Sequence, residues 1–367
     1  MSLREEIETK HERVRGFLHT HHLDGVVLSN TCNVAWFTGG MSNYVNTASD
    51  YGPAHLLVTG TVRVLITNNI EGPRLVSEED GKEFFEFEQH AWQDHREASE
   101  LMRKHTAGKR LACDGGMPGI PLLPAEFDML RYSLTEEEIQ RYREMCRDTG
   151  EALGETARGV EPGQSELDIA GRLSGEMYQR GLLPIVLLVA ADERIKRFRH
   201  PLPTGNKVTR CAELVVCGRR KGLVSAATRM VHFGEPEAEL RKRHRAAMTV
   251  DAAAILGTRP GRMVKEVFED IRSTYARVGY AEEWKLHHQG GLIGYQAREY
   301  IAGPGDVHTV GVNQAFAWNP SITGTKSEDT ILLTEYGPEV LTTSPDWPQE
   351  EIVVGDRAMP RADILVR

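Results

Sequence analysis

The stretch EPGQSELDIAGRL, residues 161–173, decides the fold of this chain because a similar stretch, RPGRMVKEVFEDI, follows at residues 259–271. Each begins with a Pro-Gly turn and continues with apolar residues at helical spacing. A helical stretch precedes both turns and strand-like stretches follow both helices, so the same order occurs twice, from about residue 135 and from about residue 236. This internal repeat predicts two similar halves that face one another across a cleft.

The sequence before the repeat is organised differently. An amphipathic helical stretch opens it, and strand-like stretches follow, among them GVVLSNT at 25–31 and VRVLITNN at 62–69. Strands that alternate with helices predict an α/β domain, and the Pro- and Gly-rich segment MPGIPLLP at 117–124 predicts a linker. We therefore expect two domains, 1–130 and 131–367, in a chain of overall α/β (α+β) class.

Composition and charge exclude several classes of function. The net charge of −9 comes from acidic and basic residues mixed along the chain, and no basic stripe predicts binding to nucleic acid. No apolar run is long enough to span a bilayer, so we expect no membrane partner. The five cysteines are scattered and the charged N-terminal stretch does not resemble a secretory signal, so a reducing cytoplasm is the expected location.

Further motifs resemble a known family. AELVVCGRRKGLVSAATRMVHFG at 212–234 resembles the strand pair that carries two metal-binding aspartates in that family, and HHQGG at 287–291 resembles its glycine-rich histidine motif. GVVLSNTCNVAWFTGG at 25–40 resembles the family's smaller leading domain. The chain thus resembles the creatinase/prolidase/methionine-aminopeptidase, or pita-bread, family, and in particular its Xaa-Pro peptidase-like members. The resemblance implies a creatinase-type N-terminal α/β domain, a pita-bread domain with a pseudo-two-fold repeat, and a homodimer.

The metal chemistry of that family does not carry over to this sequence. Its peptidases hold two divalent ions with two Asp, one His and two Glu, whose oxygen atoms suit hard cations. The corresponding positions here are 216–218, Ala226, His288 or alternatively His287, Asn319 and Glu328. At most two of the five ligands therefore remain, and no acid lies between Glu213 and Glu235 to replace the aspartates. The resemblance, with these departures, implies a site without metal ligands and an enzyme without a cofactor.

Creatinase, which has this fold and uses no metal, indicates which residues remain for chemistry. His200 corresponds to its catalytic histidine, and an imidazole suits general acid/base catalysis near neutral pH. We assign catalysis to His200, His288 and Glu328. Binding, orientation and polarisation of the substrate are assigned to Arg298, Glu299, Asn319, Ser321, Lys326 and Tyr44.

Plainer interpretations stand beside these assignments. His200 lies among basic residues and is also consistent with an ordinary surface histidine. Arg298 with Glu299 and Lys326 with Glu328 are also consistent with internal ion pairs, and Tyr44 with a plain surface loop. For Tyr44 the functional interpretation depends on a dimer in which the leading domain reaches the partner's cleft.

These residues predict a metal-independent hydrolase of an amide, amidine or peptide C–N bond in a small amino-acid-like substrate or a short peptide. Creatine itself is disfavoured, because Thr228 stands where creatinase has a second substrate-binding Glu. One alternative is a metal-dependent Xaa-Pro aminopeptidase or dipeptidase with other ligands. Another is a non-catalytic pseudo-peptidase that binds a peptide or protein partner, as a histone chaperone subunit of this fold does.

Overall fold

A computed structural model describes residues 2–115 and 117–367. Within them the chain forms two compact units. The first comprises the described residues up to Glu138 together with Lys221–Leu223, and the second comprises Ile139–Arg220 and Val224–Arg367. The segment 117–124, predicted as a linker, therefore lies inside the first unit.

The first unit contains the predicted α/β domain. Its strands are β1 Gly25–Asn30, β2 Tyr51–Thr59, β3 Arg63–Asn68, β4 Glu86–His90 and β5 Leu111–Cys113. Its α-helices are α1 Leu3–His21, α2 Thr31–Thr38, α3 Gly72–Ser77 and α4 His95–Thr106. The strands form one sheet of order β4-β3-β2-β1-β5, in which β2 is antiparallel to both neighbours and the two outer pairs are parallel. Apolar residues of the central strand β1, including Val26 and Val27, are fully buried.

The second unit carries the repeat on its helices. The helices are α5 Glu136–Arg158, which begins in the first unit, α6 Glu166–Gln179, α7 Glu193–Arg197, α8 Ala238–Gly257 and α9 Val264–Arg277. Both Pro-Gly turns place their glycine in the left-handed region that favours this residue, with φ values of 92° at Gly163 and 81° at Gly261. Ser165 and Asp168 then form a capping box that starts α6. Among the described helices, none combines the length and apolar character that a membrane span needs.

The strands of the second unit form two larger sheets and two hairpins. They are β6 Leu183–Ala191, β7 Cys211–Arg220, β8 Leu223–His232, β9 Gly290–Ile293, β10 Tyr300–Ile301, β11 Ala315–Trp318, β12 Ser321–Ile322, β13 Thr325–Lys326, β14 Asp329–Thr334, β15 Gly337–Val340, β16 Gln349–Val354, β17 Arg357–Ala362 and β18 Leu365–Val366. The sheet orders are β18-β8-β7-β6 and β10-β9-β11-β14-β15, and the hairpins are β12-β13 and β16-β17.

The register of β11 positions the candidate site. Its last residue, Trp318, pairs with the first residue of β9 and with the first residue of β14. His288, Asn319 and Glu328 lie just beyond these paired positions, so one end of the sheet gathers them. The strands approach closely there: a Cβ at Gly290 would lie 2.0 Å from a carbonyl oxygen of β11, which is why glycine is required.

Candidate active site

Glu328 is the centre of the candidate site and is nearly inaccessible to solvent, with a relative exposure of 2%. Its Oε2 accepts a hydrogen bond from Thr228 Oγ1 at 2.7 Å and lies 2.8 Å from Lys326 Nζ. Its Oε1 accepts a hydrogen bond from Arg298 Nη2 at 3.2 Å. The ion pair of Lys326 with Glu328 considered from the sequence is therefore present, and Arg298 joins it.

The two cations keep the carboxyl group of Glu328 ionised. Burial raises the pKa of a carboxyl group because apolar surroundings disfavour charge. Here the charges of Lys326 and Arg298 outweigh burial and lower the pKa of Glu328 from 4.5 to about 2. One carboxylate between two cations leaves one positive charge uncompensated in this group, which favours an anionic substrate group such as a carboxylate.

Three histidines form a cluster in the same unit. One ring nitrogen of each of His200, His287 and His288 lies within 4.8 Å of the others. The Nε2 atoms of His200 and His287 are 3.0 Å apart, so one ring donates a hydrogen bond and the other accepts it. The rings of His287 and His288 stack, with centroids 4.3 Å apart. His200 comes from the loop after α7, whereas the other two precede β9.

Burial and the nearby cations disfavour protonation of these rings. Burial, followed by the charge of Lys326, lowers the pKa of His287 to about 2. Burial, followed by the charges of Arg298 and Lys326, lowers the pKa of His288 to about 4. His200 is more exposed, and its pKa is also lowered from 6.5, first by burial and then by the charge of Lys326. The rings of His287 and His288 are therefore neutral at pH 7 and are weaker bases than an ordinary histidine.

Asn319 and Ser321 place polar atoms in the buried part of this unit. They are 2% and 3% exposed, and within the described residues neither Asn319 Oδ1 nor Ser321 Oγ has a hydrogen-bond partner. Arg298 Nε is also buried and has no hydrogen-bond partner among the described residues. Ser321 pairs with Lys326 across the β12-β13 hairpin, so the two side chains project from the same face. Buried polar atoms without partners are costly in proteins, and a bound ligand is one explanation for keeping them.

Two predicted binding residues have their observed contacts elsewhere. Glu299 Oε1 accepts hydrogen bonds from the backbone N–H groups of Tyr295 and Gln296, at 2.9 and 3.2 Å, and so closes the turn between β9 and β10. Tyr44 lies in the loop between α2 and β2 of the first unit and is partly exposed. The assignment of Glu299 and Tyr44 to substrate binding stays a prediction.

Three further residues belong to this group and were not selected from the sequence. Thr228 binds Glu328, and its place at the second creatinase Glu position was the signal that could have found it. His287 contacts His200, and only its adjacency to His288 pointed to it. Glu213 in β7 is buried, which raises its pKa from 4.5 to about 7, and although it lies in the motif at 212–234, nothing there distinguishes it as a site residue.

Comparison with known proteins defines the class of this chain. The profile of metallopeptidase family M24 matches residues 140–335, and that of the creatinase/prolidase N-terminal domain matches residues 10–148. The first match covers more than half of the chain, and the chain therefore belongs to metallopeptidase family M24. The name of that family describes metal-dependent hydrolysis of peptide C–N bonds. The predicted pita-bread fold and creatinase-type leading domain are confirmed.

Individual relatives agree with this class. The chain is 27% identical over 235 residues to an uncharacterized peptidase, YqhT, from Bacillus subtilis, a match that covers 59% of this chain and 64% of that protein. It is similar to the solved structure of an Xaa-Pro dipeptidase from Bacillus anthracis, with a TM-score of 0.78 at 20% identity over 98% of this chain and 100% of the other. It is also similar to the N-terminal domain of FACT complex subunit SPT16 from Cicer arietinum, with a TM-score of 0.69 at 12% identity over 92% and 96% of the two chains. Such structural likeness shows the fold alone, and the chain spans less than two thirds of the length of the curated relative.

The residues of this chain do not fit the two-metal centre implied by the family. The strands β7 and β8, where the resemblance places two aspartates, present buried Val216, Cys217 and Ala226 instead. Where the resemblance places one Glu, the chain has Asn319. The remaining one, Glu328, has both oxygens bound by protein donors, two of them cations, and a divalent ion at the same carboxylate would be repelled by both.

Proposed function

We propose that this chain hydrolyses an amide, amidine or peptide C–N bond in a small amino-acid-like substrate or short peptide, by a creatinase-like mechanism that does not use two metal ions. The environment of Glu328 supports this proposal most strongly. Lys326 Nζ and Arg298 Nη2 lie 2.8 and 3.2 Å from its carboxylate oxygens. Protein cations thus take the place of metal ions at the carboxylate that the family uses as a ligand.

His200 acts as the general acid and base in the proposed reaction. A water molecule attacks the carbonyl or amidine carbon while a neutral His200 ring accepts its proton. The same proton then passes to the leaving nitrogen as the C–N bond breaks, and His200 returns to its neutral form. Its Nε2 lies 3.0 Å from Nε2 of His287, which holds the ring orientation and tautomer. His288, stacked on His287, polarises the scissile group.

The positive group around Glu328 binds the substrate carboxylate. Glu328 holds Lys326 and Arg298 in place, and its single charge leaves one of theirs uncompensated. Arg298 Nε, a donor without a partner in the described part of the chain, is available to a carboxylate oxygen. Asn319 Oδ1 and Ser321 Oγ add an amide oxygen and a hydroxyl that lack partners among the described residues. An amino-acid-like molecule presents the matching set of a carboxylate and a polar nitrogen.

The wider proposal concerns assembly and location. We place the enzyme in the cytoplasm, as a homodimer of chains divided near residue 130. Glu299 contributes to the substrate pocket of its own chain, and Tyr44 contributes to the pocket of the other chain. Light scattering after size-exclusion chromatography measures the mass of the assembly, which is 41.0 kDa for one chain. A mass of one chain at micromolar concentration would contradict the dimer.

The test of the proposed reaction uses protein dialysed against a chelator and a panel of Xaa-Pro dipeptides, N-acyl amino acids and N-amidino amino acids. Product formation is followed by mass spectrometry. We expect turnover of at least one compound without added metal. We expect His200→Ala to lower kcat by about 10²- to 10⁴-fold, the usual contribution of a general acid/base. His19→Ala, at the exposed C-terminal end of α1, is the matched control and keeps full activity.

Two results would contradict the proposal. Turnover that appears only after manganese or cobalt is added would restore the metal-dependent Xaa-Pro peptidase. Unchanged activity in His200→Ala would remove the assigned acid/base. If no compound is turned over with or without metal, the non-catalytic peptide binder becomes the better explanation, and equilibrium binding of the same dipeptides would then be measured.

A further inference from the structure

The histidine cluster has a property that the proposed hydrolysis does not use. His200, His287 and His288 each offer a ring nitrogen, and these atoms lie within 4.8 Å of one another. Imidazole nitrogen is a preferred ligand of zinc, copper and nickel, and three histidines with one open position form a known type of zinc site. Of the positions where the resemblance places the family's metal ligands, His288 belongs to this cluster, whereas 216–218, Ala226, Asn319 and Glu328 do not.

We propose that His200, His287 and His288 bind one divalent transition-metal ion, and that this ion acts as an inhibitor rather than as a cofactor. Zinc–nitrogen bonds of about 2.0–2.1 Å in a tetrahedral site place the ligand atoms about 3.3 Å apart. The Nε2 atoms of His200 and His287 are already 3.0 Å apart. The other two distances are within 4.8 Å, so rotations of the His200 and His288 rings bring all three nitrogen atoms into range, and water completes the coordination.

The strength of the bond between the metal and the imidazole nitrogens, rather than the surrounding charge, determines which ions bind. Lys326 and Arg298 repel a dication, whereas Glu328, ionised between them, partly offsets this repulsion. Electrostatic attraction therefore contributes little, and the strength of the metal–nitrogen bond decides the affinity. Copper, nickel and zinc form strong bonds with imidazole, whereas magnesium, calcium and manganese prefer oxygen ligands. We expect binding of the first group and no binding of the second.

The inhibitory part of this inference rests on the proposed function. An ion bound to His200 occupies the lone pair that would accept the proton of the attacking water, so the general base is lost. Binding of the ion, in contrast, depends only on the three rings. Failure of the hydrolysis proposal therefore leaves the binding measurement valid, and the two outcomes are distinguishable.

The experiment is isothermal titration of the chelator-dialysed full chain with zinc chloride. We expect one site per chain, and at least about tenfold weaker binding in His287→Ala and in His288→Ala, since loss of a ligand costs at least as much as loss of a supporting contact. His19→Ala binds as the unaltered chain does, and magnesium chloride gives no binding heat. Cobalt(II) provides a second measurement, because a three-histidine site gives the intense visible absorption of four-coordinate cobalt.

Three results would overturn the inference. These are absence of zinc binding, equal affinity in His287→Ala and the unaltered chain, and two sites that disappear in Glu328→Gln. Circular dichroism melts of each variant identify any substitution that prevents folding, and His200→Ala, at the exposed position, then replaces it as the ligand variant.

Discussion

Replacing Glu328 by Gln removes the negative charge that holds Lys326 and Arg298 together while keeping the size of the side chain. The pKa of Glu328 is lowered from 4.5 to about 2, so its ionised form stabilises the folded state above pH 4.5, and this contribution is lost as the pH falls toward 2. The difference between the pKa values of Glu328 in the unfolded and folded states corresponds to about 3 kcal/mol of stability at pH 7, which Glu328→Gln is expected to lose. It agrees with the roughly 3–5 kcal/mol cost of leaving one partner of a buried ion pair unpaired. By the same linkage the contribution of the Glu328 charge to stability narrows to about 1 kcal/mol at pH 3.

The assay is urea unfolding of both proteins between pH 3 and pH 7, followed by circular dichroism. The matched control is Glu339→Gln, which breaks an ion pair with Arg143 on the exposed surface and is expected to change the free energy of unfolding by less than about 1 kcal/mol. The reasoning would be refuted if Glu328→Gln lost no more stability at pH 7 than the control variant does. It would also be refuted if the loss were as large at pH 3 as at pH 7. Manganese that restores the stability of Lys326→Met would also refute the reasoning. Such a result would show that Glu328 becomes a metal ligand once its neighbouring cation is removed.

Three other substitutions have expected effects. Thr228→Val removes the 2.7 Å hydrogen bond to Glu328, and urea unfolding at pH 7 is expected to show a loss of roughly 1.5–3 kcal/mol, as for hydrogen bonds to charged groups. Glu213→Gln reverses the pH trend: burial raises the pKa of Glu213 from 4.5 to about 7, so the unaltered chain loses stability as the pH rises from about 4.5 to 7, and the variant is expected to gain up to about 3 kcal/mol relative to it over that range in the same assay. Arg361→Met leaves the buried carboxylates of Asp251 and Asp329 without their shared partner, and thermal unfolding is expected to show a loss of about 3–5 kcal/mol; a loss below about 1 kcal/mol would contradict this.

The fold could be predicted from the sequence because its signals are local. A Pro-Gly turn requires a glycine in the left-handed region wherever it occurs, and the capping residues Ser165 and Asp168 lie three positions apart. Repetition of such signals at 161–173 and 259–271 therefore identifies the two halves without knowledge of their packing. The same locality explains why 117–124 was misplaced as a linker, since a Pro-rich segment inside a unit has the same composition as one between units.

The site could be predicted only in part because its contacts join distant positions. Glu328 and Lys326 are neighbours in sequence, so their ion pair could be anticipated, whereas the bond of Arg298 to Glu328 depends on the register of β9, β11 and β14. His287 could not be separated from His288 by motif, because only the structure shows which ring reaches His200. Glu213 has an ordinary sequence context, and its buried position is a property of the packed sheet.

Metal content measured by elemental mass spectrometry, on protein purified without chelator or affinity metal, is the most direct test of the claim that Glu328 is held by cations instead of metal ions. We predict at most one equivalent of a transition metal per chain, lost in His287→Ala and retained in Glu328→Gln. Two equivalents of manganese, iron, cobalt or zinc per chain, retained in His287→Ala and lost in Glu328→Gln, would contradict the claim and restore the two-metal peptidase.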